Sequence, residues 1–362
     1  MCQSVPVLVF DGHNDTLLKL FHPDRATGRS FFERSEEGHL DLPRAVEGGL
    51  FGGLFAIFAP NPEFTYGPTG NVPLIRTADG YEVPLEGPYP FERADAFTRG
   101  IAEQMFALEA GSAGRVVVAR DAATLEACRA DGRFAVVLHF EGAEAIAPDL
   151  SNLEGWVRRG LRSLGLVWSR KNAFAEGVPF RFPSSPDTGP GLTPAGRELV
   201  AACNRLGVMI DLAHLNERGF WDVASLSRAP LVSTHTAVHA LAPRSRNLTD
   251  AQIDAIGASG GVMGVIFANY DLDPEGRLDA DVPLELLVRH MAYVAERIGV
   301  EHVAFGSDFD GTQLPSAIRD ASGLPKIVGA LRAHGFGESD LAKIAHGNWM
   351  RVLGQTWAPL TH

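Results

Sequence analysis

Eight short apolar runs recur along this chain, and they constrain the fold more than any other feature of the sequence. Most of them are nearly continuous in Val, Leu, Ile, Phe and Gly, as strands buried on both faces of a parallel sheet are. The runs lie at residues 5–10, 49–59, 134–140, 161–168, 207–213, 230–234, 261–268 and 302–307. They predict a buried, mainly parallel sheet.

Helical patterns lie between several of these runs, at residues 93–110, 193–205, 249–258 and 283–298. Thr193 followed by Pro194 is typical of an N-cap and a first helical residue. Strands that alternate with helices and carry ionisable residues at their carboxyl ends favour a (β/α)8 TIM barrel over a doubly wound sheet. We therefore expect an α/β fold in which residues 1–362 form a single barrel domain.

Two long segments interrupt the alternation of strands and helices. Residues 60–133 hold a Pro/Gly-rich stretch, a helical pattern and a short VVVA strand, and we interpret them as an insertion after strand two. Residues 174–191 contain four prolines and are predicted to form a long loop able to cover a site.

Composition excludes several classes of function. The 44 Asp and Glu residues outnumber the 32 Lys and Arg residues and give a formal charge of -12. Because the sequence has no basic cluster, we expect neither nucleic acid nor a membrane surface as a partner. The expected partner is a small molecule. No apolar stretch is long enough to span a membrane, and the first residues do not resemble a signal peptide, which predicts a cytoplasmic protein.

The cysteines indicate neither a disulfide framework nor a thiolate metal site. Cys2, Cys128 and Cys203 are odd in number and lack CxxC spacing, so we expect reduced thiols, with Cys128 and Cys203 in or beside helices.

No GxGxxG or P-loop motif occurs, which argues against a nucleotide cofactor. The sequence does not fix the oligomeric state and leaves a homodimer open.

Ionisable residues stand at the ends of five of the eight predicted strands. Taken singly, each has a plain structural explanation, such as a packed histidine or an N-cap carboxylate. Together they converge on one rim, because the carboxyl ends of barrel strands share a face. The six residues are His13, Asp15, Glu141, His214, His235 and Asp308.

Three histidines and three carboxylates suit Zn²⁺, and six groups are too many for one four-coordinate ion. We therefore predict two Zn²⁺ ions per chain, about 3.5–4 Å apart, with a bridging hydroxide that attacks a carbonyl. A carboxylate must bridge the ions, and Glu141 is the candidate. Asp308 is the candidate proton acceptor and donor.

Several motifs resemble those of the renal-type (membrane) dipeptidases, peptidase family M19 within the amidohydrolase-like barrels. The matching segments, which cover nearly the whole chain in order, are DGHND 11–15, FEGAEAI 140–146, WSRKNAFAEG 168–177, DLAH 211–214, STH 233–235 with RSRN 244–247, GSDFDG 306–311 and HGNWMRV 346–352. This sequence is similar to bacterial-type members.

The resemblance implies a role for each matching residue. His13 and Asp15 would bind one zinc ion and His214 and His235 the other, while Glu141 bridges them. Asp308 would be the acid/base residue. The implied activity is hydrolysis of dipeptides, with tolerance of a D-residue at the carboxyl-terminal position in many members.

The resemblance also suggests substrate-binding residues. Arg246, next to Asn247, matches an arginine that binds the substrate carboxylate, and its planar fork suits bidentate binding. Arg244 lies two residues away and remains an alternative. Tyr270 either lines the pocket or packs within its loop.

One position departs from the family pattern. Several members place a histidine after strand four that polarises the carbonyl and binds the substrate. This chain has Trp168 there, which is a candidate substrate-binding residue but cannot titrate. If that histidine's role exists here, it falls to the zinc ions, Arg170, Lys171 or Asn172.

The resulting hypothesis is a zinc-dependent dipeptidase acting on L-Xaa-L-Xaa and L-Xaa-D-Xaa substrates. Two alternatives stay open at this point. One is another amidohydrolase reaction, such as N-acyl-amino-acid deacylation or lactone hydrolysis. The other is a catalytically silent metal-containing binding protein.

Overall fold

A computed structural model describes residues 7–24, 26–61 and 73–357 of the chain. Eight parallel strands form a nearly closed barrel in the order β1-β2-β6-β7-β9-β10-β11-β12. These strands are β1 Val9–Asn14, β2 Leu50–Ile57, β6 Phe134–Phe140, β7 Leu161–Gly165, β9 Met209–Asp211, β10 Val232–Thr236, β11 Val262–Val265 and β12 Val303–Phe305. The predicted (β/α)8 barrel is therefore confirmed.

The barrel closes between its first and last strands through backbone contacts just beyond β12. Asn14 forms a parallel bridge with Phe309, and the Asp15 N–H donates to the Phe309 carbonyl over 2.8 Å. These contacts bring the polar residues at the end of β1 beside those that follow β12.

Helices surround the barrel, and those predicted from the sequence begin and end within two residues of the structure. Thr193 caps α6 by accepting a hydrogen bond from the Gly196 N–H, with Pro194 in the first turn, as predicted. The helices are α1 Thr16–Phe21, α2 Leu42–Gly48, α3 Phe91–Gly111, α4 Ala122–Asp131, α5 Leu153–Arg159, α6 Pro194–Leu206, α7 Glu217–Leu226, α8 Asp250–Ala258, α9 Asn269–Leu272, α10 Leu284–Ile298, α11 Leu324–His334, α12 Glu338–Ala342 and α13 Asn348–Trp357. Short 3₁₀ turns occupy Val300–His302 and Ala321–Gly323, and a π-helical turn spans Lys343–Gly347.

The first strand differs from its prediction. The apolar run suggested residues 5–10, of which 5 and 6 lie outside the described residues, whereas β1 is Val9–Asn14. Two of its polar residues, Asp11 and Asn14, remain in the strand because their side chains are hydrogen-bonded inside the barrel. Asp11, for example, accepts hydrogen bonds from the N–H and hydroxyl of Ser307 over 2.8 and 2.7 Å.

The segment between β2 and β6 contributes to two sheets. β5 Val116–Val118 pairs in parallel with the start of β6. β3 Ile75–Arg76 and β4 Tyr81–Val83 form a separate antiparallel sheet with β8 Phe180–Phe182, which we call the cap sheet. Residues 174–191 are thus not wholly loop, because β8 extends the cap sheet by pairing with β4.

A cluster of apolar side chains fills the inside of the barrel. Phe10, Val137, Met209 and Val232 belong to it, and Trp349 of α13 packs among them. The Trp349 indole N–H donates to the Phe305 carbonyl over 2.9 Å. A Cβ atom on Gly12 would overlap the Trp349 ring, so the close approach of β1 requires glycine there.

Two of the three cysteines lie in helices, as predicted. Cys128 in α4 and Cys203 in α6 are buried and free, whereas Cys2 lies outside the described residues. Among the helices in the described ranges, none combines the length and apolarity needed to cross a membrane.

Candidate metal centre

The structure brings all six predicted rim residues to one end of the barrel. His13 and His235 lie within β1 and β10, while Asp15 and Glu141 directly follow β1 and β6. His214 and Asp308 each stand three residues after a strand, β9 and β12. Residues separated by almost the whole chain therefore meet because the strands are parallel and adjacent.

The carboxylate of Glu141 lies between two groups of potential ligands. Its Oε2 is 3.7 Å from His13 Nε2, which is 3.9 Å from Asp15 Oδ2. Its Oε1 is 3.0 Å from His214 Nε2 and 3.5 Å from His235 Nε2. In each group, the three ligand atoms lie within 4.8 Å of one another. One carboxylate thus faces two clusters, each with the spacing of a metal site.

Hydrogen bonds hold two of these imidazoles by the ring nitrogen that faces away from Glu141. His214 Nδ1 is 2.9 Å from the Ser169 hydroxyl, and His235 Nδ1 is 2.8 Å from the Thr234 hydroxyl. Thr234 also donates to Asp211 Oδ2 over 2.6 Å. Such partners fix the orientation of the ring and leave Nε2 for a metal ion.

Burial makes this cluster suited to a divalent cation. His13 is fully buried, and within the described part of the chain neither of its ring nitrogens has a hydrogen-bond partner. Burial lowers the pKa of His13, His214 and His235 well below the usual histidine range, which keeps the imidazoles neutral. Burial, followed by the Asp15 and Asp308 carboxylates, raises the pKa of Glu141. The neutral imidazole nitrogens that face the crowded carboxylates fit a metal centre, because a dication would satisfy both kinds of group.

Asp308 is the sixth rim residue, and its carboxylate lies near that of Asp15. Burial, followed by the charge of Asp15, raises the Asp308 pKa well above its usual value. Its backbone has a φ of 58°, and the Asp308 N–H donates to the His13 carbonyl over 3.0 Å. A non-glycine residue in this left-handed region is uncommon and is held here by its surroundings.

Asp310 secures the loop that carries Asp308. Its Oδ2 accepts hydrogen bonds from the Thr16 hydroxyl over 2.9 Å and from Arg29 over 3.1 Å. Its Oδ1 accepts from the His39 N–H over 2.6 Å. The sequence motif showed two aspartates here, and the structure gives them different surroundings.

The two candidate arginines for the substrate carboxylate also differ. Arg246 Nη2 lies 3.1 Å from His214 Nε2, and its Nη1 is buried without a hydrogen-bond partner among the described residues. Arg244 is instead ion-paired away from the cluster, with Nε 2.9 Å from Asp271 Oδ1 of α9. Of the two guanidinium groups, the one on Arg246 therefore lies against the histidine cluster.

The other predicted substrate-binding residues surround the same rim. The Trp168 ring centre is 5.8 Å from that of His214 and 4.6 Å from that of Phe58. The Asn172 side chain bonds to backbone groups, including the Leu166 carbonyl at 2.8 Å. The Tyr270 hydroxyl lies 2.9 Å from the Thr312 hydroxyl. Trp168 thus packs beside the ligand candidate His214, whereas the Asn172 side chain is bonded to the backbone of its own loop.

Two residues of the cluster were not singled out from the sequence. The ring centre of His139 lies 5.3 Å from that of His13. Asp211 groups with His13 and His235 as a possible ligand set. Strand periodicity carried the signal for His139, since it stands two residues before Glu141 and faces the same side.

Comparisons with known proteins identify a family for this chain. The family model described as membrane dipeptidase (Peptidase family M19) matches residues 3–359. A metallo peptidase from Rhodobacter sphaeroides, liganded with a phosphinate mimic of the dipeptide L-Ala-D-Ala, superposes with a TM-score of 0.92 at 45% identity, covering 98% of this chain and 100% of that one. The dipeptidase AC, also of family M19, gives 0.90 at 46% identity, with 98% and 99% covered. A Klebsiella pneumoniae protein encoded in the pqqA 5′ region is 47% identical over 250 residues, which cover 69% of this chain and 92% of that protein.

Proposed function

The chain belongs to the membrane dipeptidase family, peptidase family M19, and is a metallo-dipeptidase; from this premise we propose that it hydrolyses dipeptides with two Zn²⁺ ions bridged by Glu141. The observation that carries this proposal is the position of the Glu141 carboxylate between the two groups of ligand atoms. The dipeptide mimic bound to the similar Rhodobacter sphaeroides enzyme supports the substrate class.

In this proposal, His13 and Asp15 would hold one ion and His214 and His235 the other, with the Glu141 carboxylate available to both. Ions bound there supply an acidified water and polarise the scissile carbonyl, so no nucleophilic side chain is required. Ser169 and Thr234 keep the imidazoles of the second group oriented.

Asp308 is assigned the proton transfers. As water attacks the carbonyl carbon, the Asp308 carboxylate accepts a proton from it. It then returns that proton to the amine nitrogen as the C–N bond breaks. The left-handed backbone of Asp308 and its hydrogen bond to His13 hold the carboxylate beside the metal cluster.

Arg246 is assigned the free carboxylate of the substrate. A guanidinium group beside the ligand His214 can hold a carboxylate bidentately when the chain ends one residue beyond the scissile bond. The same contact therefore supplies affinity and limits the length of the substrate. Trp168 forms an apolar wall beside it, and Tyr270 lies on the Arg244 side of the pocket.

A substrate panel on zinc-loaded protein tests the proposed function. We expect turnover of L-Ala-L-Ala and L-Ala-D-Ala and little turnover of N-acetyl-alanine, which lacks the free amino group of a dipeptide. Faster hydrolysis of the N-acetyl amino acid would show a deacylase instead. Turnover that survives removal of metal would contradict the metal-dependent reaction.

A further inference from the structure

The loop that carries Arg246 is bonded to the cap sheet. The Ser184 N–H donates to the Pro243 carbonyl over 2.9 Å. The Ser245 N–H donates to the Arg181 carbonyl over 3.1 Å, and the Arg181 N–H donates to the Ser245 hydroxyl over 3.1 Å. Residues 243–245 thus run beside β8 as a bonded unit.

Arg244 joins this loop to both the barrel and the cap sheet. It is 1% exposed and forms an ion pair with Asp271. Its Nη1 donates to the Tyr270 carbonyl over 2.9 Å and also to the Tyr81 hydroxyl of β4. The rings of Tyr81 and Tyr270 lie 5.4 and 5.0 Å from the guanidinium carbon. The guanidinium group is therefore held by Tyr270 and Asp271 of α9 on one side and by Tyr81 of β4 on the other.

The hydroxyl of Tyr81 has a specific use. Its ring stacks on Phe182 at 6.3 Å, a contact that phenylalanine would keep. The residue is 3% exposed, and a buried hydroxyl is costly unless it is hydrogen-bonded. Arg244 supplies that bond, so the hydroxyl links the cap sheet to the loop.

We propose that Tyr81 and Arg244 are positioning residues for Arg246, which makes the cap sheet part of the dipeptide-binding site. This inference rests on the proposed function, in which Arg246 holds the substrate carboxylate. Arg246 follows Arg244 by two residues, and its carbonyl accepts a hydrogen bond from the Thr236 hydroxyl over 3.0 Å. The backbone on both sides of its side chain is therefore fixed, on one side by β10 and on the other by the Tyr81 contact.

Steady-state kinetics of zinc-loaded Tyr81→Phe test this role with L-Ala-L-Ala and its carboxyl-terminal amide. We expect KM for the dipeptide to rise about 5- to 20-fold with kcat changed less than about twofold, since one hydrogen bond to a charged group is lost. KM for the amide should stay near the wild-type value. Tyr293→Phe, which removes a hydroxyl bonded to Asp250 at 2.8 Å, is the matched control and should behave as wild type.

The double variant Tyr81→Phe/Arg246→Met separates positioning from general stability. If Tyr81 acts through Arg246, the double variant should lose no more dipeptide affinity than Arg246→Met alone. Arg244→Lys should show the same selective loss as Tyr81→Phe, because lysine lacks the planar fork.

Three outcomes would overturn the inference. They are an unchanged dipeptide KM in Tyr81→Phe, an equal rise for dipeptide and amide, and additive losses in the double variant. If the wild-type protein does not distinguish the dipeptide from its amide, the proposed role of Arg246 fails as well. If only the inference about Tyr81 fails, the wild-type protein still distinguishes the two substrates.

Discussion

Asp308 and His214 share a backbone feature that sets them apart from the other candidate site residues. Their φ angles are 58° and 64°, in the left-handed region that costs a non-glycine residue free energy. Both stand in the turn directly after a short barrel strand. From its turn, His214 Nε2 comes within 3.0 Å of Glu141 Oε1.

Replacing Asp308 with asparagine tests its assignment to proton transfer. We expect Asp308→Asn to retain bound metal and to lose about 10²–10⁴-fold in kcat, the usual contribution of a positioned acid/base group. Metal content and kcat should be measured on the same preparation. Asp281→Asn, on an exposed carboxylate that accepts the Ser316 N–H at 2.8 Å, is the control and should keep full turnover.

Two results would count against Asp308 in that role. Unchanged turnover would remove it from the mechanism. Loss of metal would instead make it a ligand.

Replacing Arg246 tests the carboxylate contact. Removing a charge-assisted pair costs about 2–5 kcal/mol, so Arg246→Met should lower kcat/KM for dipeptides about 30-fold or more. The carboxyl-terminal amide of the same dipeptide should lose much less, and Arg246→Lys should fall between wild type and Arg246→Met. Equal losses for dipeptide and amide would show that Arg246 does not bind the carboxylate.

At the scale of elements, the turn after β12 illustrates how tightly the carboxylates are packed. A Cβ atom on Gly311 would overlap both Asp15 Oδ2 and Asp308 Oδ1. No side chain fits at this position without moving the two carboxylates. Glycine at this position therefore lets the two carboxylates lie as close as they do.

Gly311→Ala should consequently reduce activity without replacing a functional side chain, because the added methyl group displaces the Asp15 and Asp308 carboxylates. We expect kcat/KM to fall about 10²-fold, because displacing reacting groups by about 1 Å can cost that much. Gly329→Ala on α11, where an added Cβ meets open space, is the matched control. Wild-type kcat/KM in Gly311→Ala would show that the two carboxylates need not lie so close.

The barrel strands and capped helices were predictable because their signals are local. Continuous apolar runs marked the strands, and Thr193 with Pro194 marked the start of α6. The end of β1 was not predictable in this way, since His13 and Asn14 look like turn residues until the barrel buries them.

The cap sheet could not be predicted either. Its pairing of Tyr81 with Phe182 joins short segments about 100 residues apart in sequence, and β8 lies in a proline-rich stretch. No local pattern reports such a contact. The choice between Arg244 and Arg246 likewise needed the structure, because only the contacts with Asp271 and His214 separate them.

For the whole molecule, buried histidines outside the site make stability depend on pH. His290 of α10 accepts the Val238 N–H over 3.1 Å and lies 3.2 Å from the Leu272 carbonyl. Burial lowers its pKa to about 4 from the ordinary 6.5. The unfolded chain therefore binds more protons between these values, so this contribution is present above pH 6.5 and is lost as pH falls toward 4.

We expect the free energy of unfolding to depend less on pH in His290→Gln than in wild type. The difference between the two proteins should amount to about 2 kcal/mol between pH 6.5 and 4.5, measured by denaturant titration. His334→Gln, which removes an exposed imidazole at the end of α11, should keep the wild-type dependence. An equal dependence in His290→Gln would show that this imidazole takes up its proton without unfolding.

The arrangement of the rim residues belongs to the molecule as a whole, since residues from His13 to Asp308 meet only when the barrel closes. The proposed reaction depends on two ions that share Glu141. The most direct measurement is an anomalous difference map at the zinc absorption edge from crystals of zinc-loaded protein. We predict two peaks about 3.5–4 Å apart, one between His13 and Asp15 and the other between His214 and His235, with an oxygen of Glu141 at each. A single peak, or two peaks that Glu141 does not contact, would contradict it.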